Sequence, residues 1–301
     1  MEQIRSQRIV VMTGVTGGFG VYALQRIAAH PVTRVIIGAR GSNRTVPVGV
    51  EVLPLDLASL TSVRQFADAV KQIIGDSRID ILVLNAGIHT TNTRKRSEDG
   101  FELTFAVNHL AHYLLARLLV PHITDRGRLV ITTSNMHEPP IKRISPKTVE
   151  PQLLAHPAES GSGIKAYSLS KLCNLMTAQS FDSLPDIRAR HIDIVAFNPG
   201  LTGGSSGRDS SRMARLFVSL LTHTVFRLMG LFRPEFVMNK PEHSGRMLAD
   251  VSLGIIKPPS GRVYLSLVKG QPTFPAPSEL ARNQEAQDQL WHESAAMVGL
   301  E

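Results

Sequence analysis

Apolar positions along the chain fall into short continuous runs separated by stretches of helical spacing, and this alternation is the main structural signal. Arg8 to Thr13 reads as a first strand, followed by an amphipathic helix from about Phe19 to Ala29. Val35 to Ala39, Val50 to Leu55 and Ile79 to Asn85 supply three further strands. Between the last two, Ser59 or Thr61 opens a helix whose Val63, Phe66, Ala67 and Val70 share one face. A long helix is predicted from about Glu98 through Leu119, then a strand from Arg128 to Thr133, a helix from roughly Ala166 to Ser183 and a strand from Ala189 to Phe197. Gly261 to Leu265 is the last predicted strand, and Ser278 to Gly299 a terminal helix holding the sole tryptophan, Trp291.

Strands that are apolar nearly throughout belong to sheets covered on both faces. The pattern therefore predicts an α/β fold, a doubly wound Rossmann-type parallel sheet of about seven strands with helices on either side. No linker-like break divides residues 1–301, so one domain is expected. Two segments interrupt the alternation. Met136 to Gly163 lacks periodicity and reads as an insertion loop, and 203–250 reads as a loop followed by helices that cover the substrate. Leu216 to Phe232 is apolar but short for a membrane span and contains His223 and Arg227. A buried or lid helix is the expectation there, with peripheral membrane contact as the alternative.

Composition narrows the class. The 301 residues are 43% hydrophobic and 19% charged, which suits a globular protein with a substantial core. The net charge of +8 comes from scattered Lys and Arg with only short groupings such as Arg94-Lys95-Arg96, and no RNA-binding aromatic signature accompanies it. No nucleic-acid partner is expected, and a small anionic ligand is sufficient reason for the charge. Cys173 is the single cysteine, which excludes an intrachain disulfide and, in its apolar helical setting, reads as a packed thiol. The N-terminus lacks the features of a signal peptide, and a cytoplasmic location is expected. The eleven histidines include His109, His112 and His137 but form no HExxH or Cys/His cluster, so no metal is expected. His137 reads as a loop histidine, with a place in the substrate pocket as the alternative.

The chemistry begins at Thr13-Gly14-Val15-Thr16-Gly17-Gly18-Phe19-Gly20, which follows a strand and opens a helix. Gly14, Gly18 and Gly20 permit a tight turn and a close approach of backbone to a pyrophosphate, whose charge is favoured at a helix N-terminus. About eighteen to twenty residues after the last glycine, where an NAD-preferring fold places a carboxylate, the chain reads Gly38-Ala39-Arg40. An arginine without a competing carboxylate favours the 2′-phosphate of NADP(H). Tyr167 and Lys171 lie at i and i+4, on one face of a helix. An ammonium beside a phenol lowers its pKa and suits the pair to proton exchange with an alcohol or carbonyl.

These motifs, together with Asp56-Leu57, Asn85-Ala86-Gly87, Asn108, Ser134 and Asn198-Pro199-Gly200, occur in an order that resembles the short-chain dehydrogenase/reductase family over about the first two hundred residues. The resemblance implies a catalytic tetrad of Asn108, Ser134, Tyr167 and Lys171, with Ser134 orienting the substrate oxygen. It further implies that Lys171 holds the nicotinamide ribose and that Asn108 supports a proton-relay water. Thr132 and Thr133 neighbour Ser134, and strand register decides which hydroxyl faces the site. By the same resemblance Thr16 and Phe19 belong to the cofactor loop and Asp56 and Leu57 flank the adenine. Asn85, Ala86 and Gly87 line the cofactor, Pro199 and Gly200 sit beside the nicotinamide, and Thr202 meets its carboxamide. The phrases LDLASLTSVRQFADAV, VNHLAHYLLARLL and AYSLSKLCNLMTAQ are similar to retinol dehydrogenases and light-dependent protochlorophyllide reductases, which handle large apolar molecules. The expected function is hydride transfer between NADP(H) and a bulky hydrophobic carbonyl or alcohol, by a monomer or homo-oligomer. The alternatives are reduction of a conjugated C=C bond and a non-catalytic NADP-binding sensor or scaffold.

Overall fold

The strands are apolar on both faces because each face is buried. In β1 (Arg8–Thr13), Ile9 and Val11 join one core cluster while Val10 and Met12 join the other, as the period of two in an extended backbone requires. The computed structural model describes residues 7–41, 45–139, 145–203 and 237–300. After β1 come α1 (Gly20–Ala28), β2 (Thr33–Ala39), β3 (Val50–Pro54), α2 (Leu60–Ile74) and β4 (Ile79–Leu84). Then follow α3 (Leu103–Phe105), a π turn (Ala106–Leu110), α4 (Ala111–Leu119), β5 (Ile123–Thr132), α5 (Pro151–Ala155), α6 (Gly163–Ser183), α7 (Pro185–Ala189) and β6 (Asp193–Asn198). The C-terminal part holds α8 (Pro241–Ser252), β7 (Tyr264–Val268), β8 (Gln271–Thr273) and α9 (Gln284–Met297).

All eight strands form one sheet in the order β3-β2-β1-β4-β5-β6-β7-β8. Every pairing is parallel except the antiparallel β7 and β8. From β1 the chain winds outward through β2 and β3, then crosses back to β4 on the other side, so the order reverses between β1 and β4. The crevice at the carboxyl ends of these two strands is where such sheets receive ligands. Helices α1 and α8 cover one face through Leu24, Ile27, Leu248 and Val251. Helices α2, α4, α6 and α9 cover the other through Phe66, Leu114, Leu115, Phe181 and Leu290.

The differences from expectation have local causes. The sheet has an eighth strand, because Gln271–Thr273 folds back on β7 although it carries no apolar run. The strand expected over Gly261 to Leu265 lies at Tyr264–Val268, and β6 starts at Asp193 because the preceding residues form α7. The helix expected from Glu98 begins at Leu103. Upstream of it the chain makes a turn closed by a bridge between Arg96 and Glu102, and Glu102 caps the helix by accepting from the Phe105 amide at 2.7 Å. The 136–163 insertion contains α5, and α6 begins at its end, with Gly163 packed so closely that a Cβ there would lie 1.8 Å from the Thr90 carbonyl oxygen. Leu216 to Phe232 lies outside the described residues, as does most of the expected substrate-covering region. Among the described residues only Leu103–His122 is long and apolar enough to cross a membrane, and it is largely buried in the core.

Helix α9 closes the face formed by α4 and α6. The Trp291 ring meets Tyr113 and Phe181 edge-on at 5.1 and 5.0 Å, and the Arg117 guanidinium lies 4.8 Å from the Trp291 ring centre. The Tyr113 hydroxyl also donates to the Trp291 carbonyl at 2.9 Å. Aromatic edge contacts and a stacked cation add to area burial. Trp291→Ala is therefore expected to lower stability by about 3 kcal/mol, read as a shift in the urea unfolding midpoint with little change in the slope.

Candidate active site

The site grows from the tight junction of β1 and β4. Gly14 adopts a φ of +67°, and a Cβ there would lie 2.4 Å from the Ala86 backbone nitrogen and Cα. Only glycine allows the two strand ends to meet so closely. The Thr13 hydroxyl accepts from the amides of Asn85 and Ala86 at 3.1 and 3.3 Å, and Asn85 Nδ2 donates to the Gly14 carbonyl at 2.8 Å. Gly20, the first residue of α1, packs on the same turn, where a Cβ would lie 2.2 Å from the Gly14 oxygen.

Gly18 behaves differently. Its φ is +57° and a Cβ there would meet nothing within 4 Å, so its backbone borders open space. Phe19 caps α1 without a side-chain hydrogen bond, and Thr16 is half-buried in the same loop. An open, glycine-lined turn at an uncapped helix N-terminus fits the phosphates of a dinucleotide. Arg40 directly follows β2 and is exposed, one strand away. Asp56 Oδ1 accepts from the Ala58 amide at 3.0 Å while Leu57 packs against the core, which fixes the loop after β3.

The second half of the site is assembled across β4, β5 and α6. The strand register singles out Ser134 by engaging its neighbours. The Thr132 hydroxyl donates to Asn85 Oδ1 at 2.9 Å, and that of Thr133 donates to the Lys171 carbonyl at 2.7 Å. Ser134 lies at the strand end, less buried than both, and its hydroxyl interacts with the Tyr167 phenol. Lys171 is buried, with Nζ donating to the Thr132 carbonyl at 3.2 Å and lying 5.8 Å from the Tyr167 ring centre. Asn108 sits in the π turn, a local widening often found at functional sites. Its Oδ1 accepts from the Ile88 amide at 2.8 Å, and its Nδ2 donates to the Ile88 carbonyl and the Ser170 hydroxyl, each at 3.0 Å. Gly87 brings these groups together: a Cβ there would lie 3.2 Å from Lys171 Nζ and 3.5 Å from Asn108 Oδ1.

The electrostatics differ from the expectation for the Tyr167 pair. Burial raises the Tyr167 phenol above its ordinary value, partly offset by the Ser134 hydroxyl, and burial also pushes the Lys171 ammonium down to about 8. Desolvation thus moves the phenol opposite to the lowering expected from a neighbouring ammonium. The phenol keeps its proton at neutral pH. On the far side, Gly200 takes a φ of +66° beside buried Pro199, and its amide donates to Asn198 Oδ1 at 2.9 Å. The Thr202 hydroxyl is bonded to Ser244 Oγ at 2.8 Å and to the Pro199 carbonyl at 3.2 Å.

Sequence reading overlooked three participants. The Thr13 hydroxyl holds the strand junction, His112 reaches it from α4, and the His89 ring stands edge-on to Tyr167 at 5.5 Å. His89 follows the Asn85-Ala86-Gly87 turn closely enough to be suspected, whereas His112 is marked only by its i+4 spacing from Asn108. His137, read as a loop residue, is buried, its Nδ1 bonded to the Ser134 carbonyl at 2.7 Å and its ring edge-on to Tyr264 at 5.2 Å.

The chain is similar to known proteins. The family model for short chain dehydrogenase matches residues 8–146. The chain is 30% identical over 334 residues to protochlorophyllide reductase A of Hordeum vulgare, covering 98% of this chain and 81% of that protein. It is 35% identical over 184 residues to a WW domain-containing oxidoreductase of Danio rerio, a match that covers 57% of this chain and 44% of that longer protein. Among solved structures, an uncharacterized protein from Mycobacterium Paratuberculosis superposes with a TM-score of 0.68 at 26% identity, covering 98% of this chain and 94% of that one. The chain belongs to the short-chain dehydrogenase/reductase family, whose members are oxidoreductases that use a nicotinamide cofactor.

Two buried histidines tie the stability of the fold to solution pH. Burial lowers His109 to about 3 and His112 to about 4, both from an ordinary 6.5. An imidazole whose folded value lies below its unfolded one is protonated first in the unfolded chain. Stability is then complete above 6.5 and drains away as pH falls toward 4. Urea unfolding from about pH 7 to pH 5 is expected to show a loss on the order of several kcal/mol. A flat profile over that range contradicts neutral buried rings.

Proposed function

We propose that this protein transfers a hydride between NADP(H) and a carbonyl or alcohol group of a bulky hydrophobic substrate, with Tyr167 as the acid and base. The observation that carries the reading is the meeting of Tyr167, Ser134, Lys171 and Asn108 around the β4 strand end, beside the glycine loop. Gly14, Thr16, Gly18, Phe19 and Gly20 would hold the pyrophosphate, and Asp56 and Leu57 the adenine end. Asn85, Ala86, Gly87, Pro199, Gly200 and Thr202 would hold the nicotinamide end. The bound dinucleotide supplies the hydride in reduction. Ser134 then orients the substrate oxygen, and the protonated phenol of Tyr167 gives that oxygen its proton. Lys171 keeps a positive charge next to the phenol, which stabilises the phenolate left behind.

Arg40, at the end of β2 where no carboxylate stands, supports NADP(H) over NAD(H). Exposed apolar side chains support a hydrophobic substrate. Ile164 lies one helical turn before Tyr167, and Met238 approaches Gly203 beyond the Pro199-Gly200 turn. A second reading, reduction of a conjugated C=C bond, is favoured by the likeness to a protein named protochlorophyllide reductase.

A spectrophotometric screen of NADPH oxidation against bulky ketones, aldehydes and enones separates the two readings by which class turns over. Binding of NADPH without turnover of any class points instead to a sensor or scaffold. Tyr167→Phe is expected to lower kcat by at least about a hundredfold while leaving NADPH affinity nearly unchanged, and undiminished turnover overturns the assignment. Arg40→Asp is expected to weaken NADPH binding by about tenfold or more and to leave NADH binding equal or improved, both read by titration of cofactor fluorescence.

A further inference from the structure

His112 is buried, and its two ring nitrogens have different partners. Nδ1 lies 3.1 Å from the Asn108 carbonyl oxygen and Nε2 lies 3.0 Å from the Thr13 hydroxyl. A carbonyl only accepts, so Nδ1 carries the hydrogen. A neutral imidazole has one N–H, so Nε2 accepts and the Thr13 hydroxyl donates. That assignment agrees with the other bonds of Thr13, whose oxygen accepts from the amides of Asn85 and Ala86. One directed chain of hydrogen bonds therefore runs from the β4 strand end, through the first residue of the glycine loop and the His112 ring, to the backbone of Asn108. The low pKa of His112, caused chiefly by burial, keeps the ring in the neutral form this chain needs.

We propose that His112 is a positioning residue, which ties the Thr13 end of the cofactor loop to the turn bearing Asn108 and so fixes the cofactor seat relative to the proton-transfer groups. The inference rests on the oxidoreductase reading above and adds to it a residue that touches no reacting atom. His109 provides the contrast. Three residues earlier on the same stretch of helix, it is equally buried, but its Nε2 lies 2.8 Å from Ser294 on α9, away from the strand junction. A shared requirement for buried histidine would make the two alike; a positioning role sets His112 apart.

The test compares His112→Phe, His112→Gln, His109→Phe and Thr13→Val in the full chain, by NADPH affinity from fluorescence titration and by thermal midpoint. Gln offers one donor and one acceptor, as the neutral ring does. His112→Phe is expected to bind NADPH about tenfold more weakly, with His112→Gln recovering most of the affinity. His109→Phe is expected to lower the midpoint but leave affinity within about twofold. Thr13→Val removes the same link from its other end, so its loss and that of His112→Phe should not add in the double variant. Should His112→Phe fail to fold, His112→Leu takes its place in both comparisons. Wild-type affinity in His112→Phe, an equal loss in His109→Phe, or strictly additive losses each overturn the positioning role. A wild-type chain that binds no nicotinamide dinucleotide overturns the oxidoreductase reading itself, and the role of His112 falls with it.

Discussion

The structure depends on how closely the ends of β1 and β4 approach each other. Where Gly14 meets Ala86 there is no room for a side chain, and the polar groups made inaccessible by that contact must find partners within the protein. They do so in series. Thr13 takes the amides of Asn85 and Ala86, Asn85 takes Gly14 and Thr132, and Thr132 in turn accepts from Lys171 and Asn174. A seam of hydrogen bonds thus crosses β1, β4, β5 and α6 at the carboxyl edge of the sheet. Such networks specify one arrangement and penalise any other. The loop suited to phosphate and the residues suited to proton transfer are held by the same seam.

The seam also explains the electrostatics of the site. Its members are buried, so each ionisable group near it is pushed toward its neutral form: the Tyr167 phenol up, the Lys171 ammonium and the imidazoles down. A proton held on a phenol and a cation partly destabilised beside it form a pair whose protonation is governed by exclusion of water.

Features that declare themselves locally could be read from the sequence. The six strands of the first two hundred residues are marked by short apolar runs, and the glycine loop and the Tyr167–Lys171 pair stand out through their spacing and order taken together. Ser134 could be separated from Thr132 and Thr133 only once Asn85 and Lys171 were placed against those two hydroxyls. Strand β8 escaped notice because three residues containing a proline carry no hydrophobic pattern. The delayed start of the helix before Asn108 escaped because the bridge from Arg96 to Glu102 competes with helix where the composition suits both. His112 was the hardest to see, since its partner Thr13 is 99 residues away and a buried imidazole leaves no trace in periodicity.

The edges of the sheet have a further effect. On one side the outermost strand is β3, which ends in Pro54; on the other it is β8, three residues long with Pro272 at its centre. Proline offers no amide to a neighbour, and a strand this short presents few free groups. A sheet of eight strands is wide enough to template the addition of foreign chains at its margins. Here both margins are blunted, which protects a largely apolar parallel sheet from growing into aggregates.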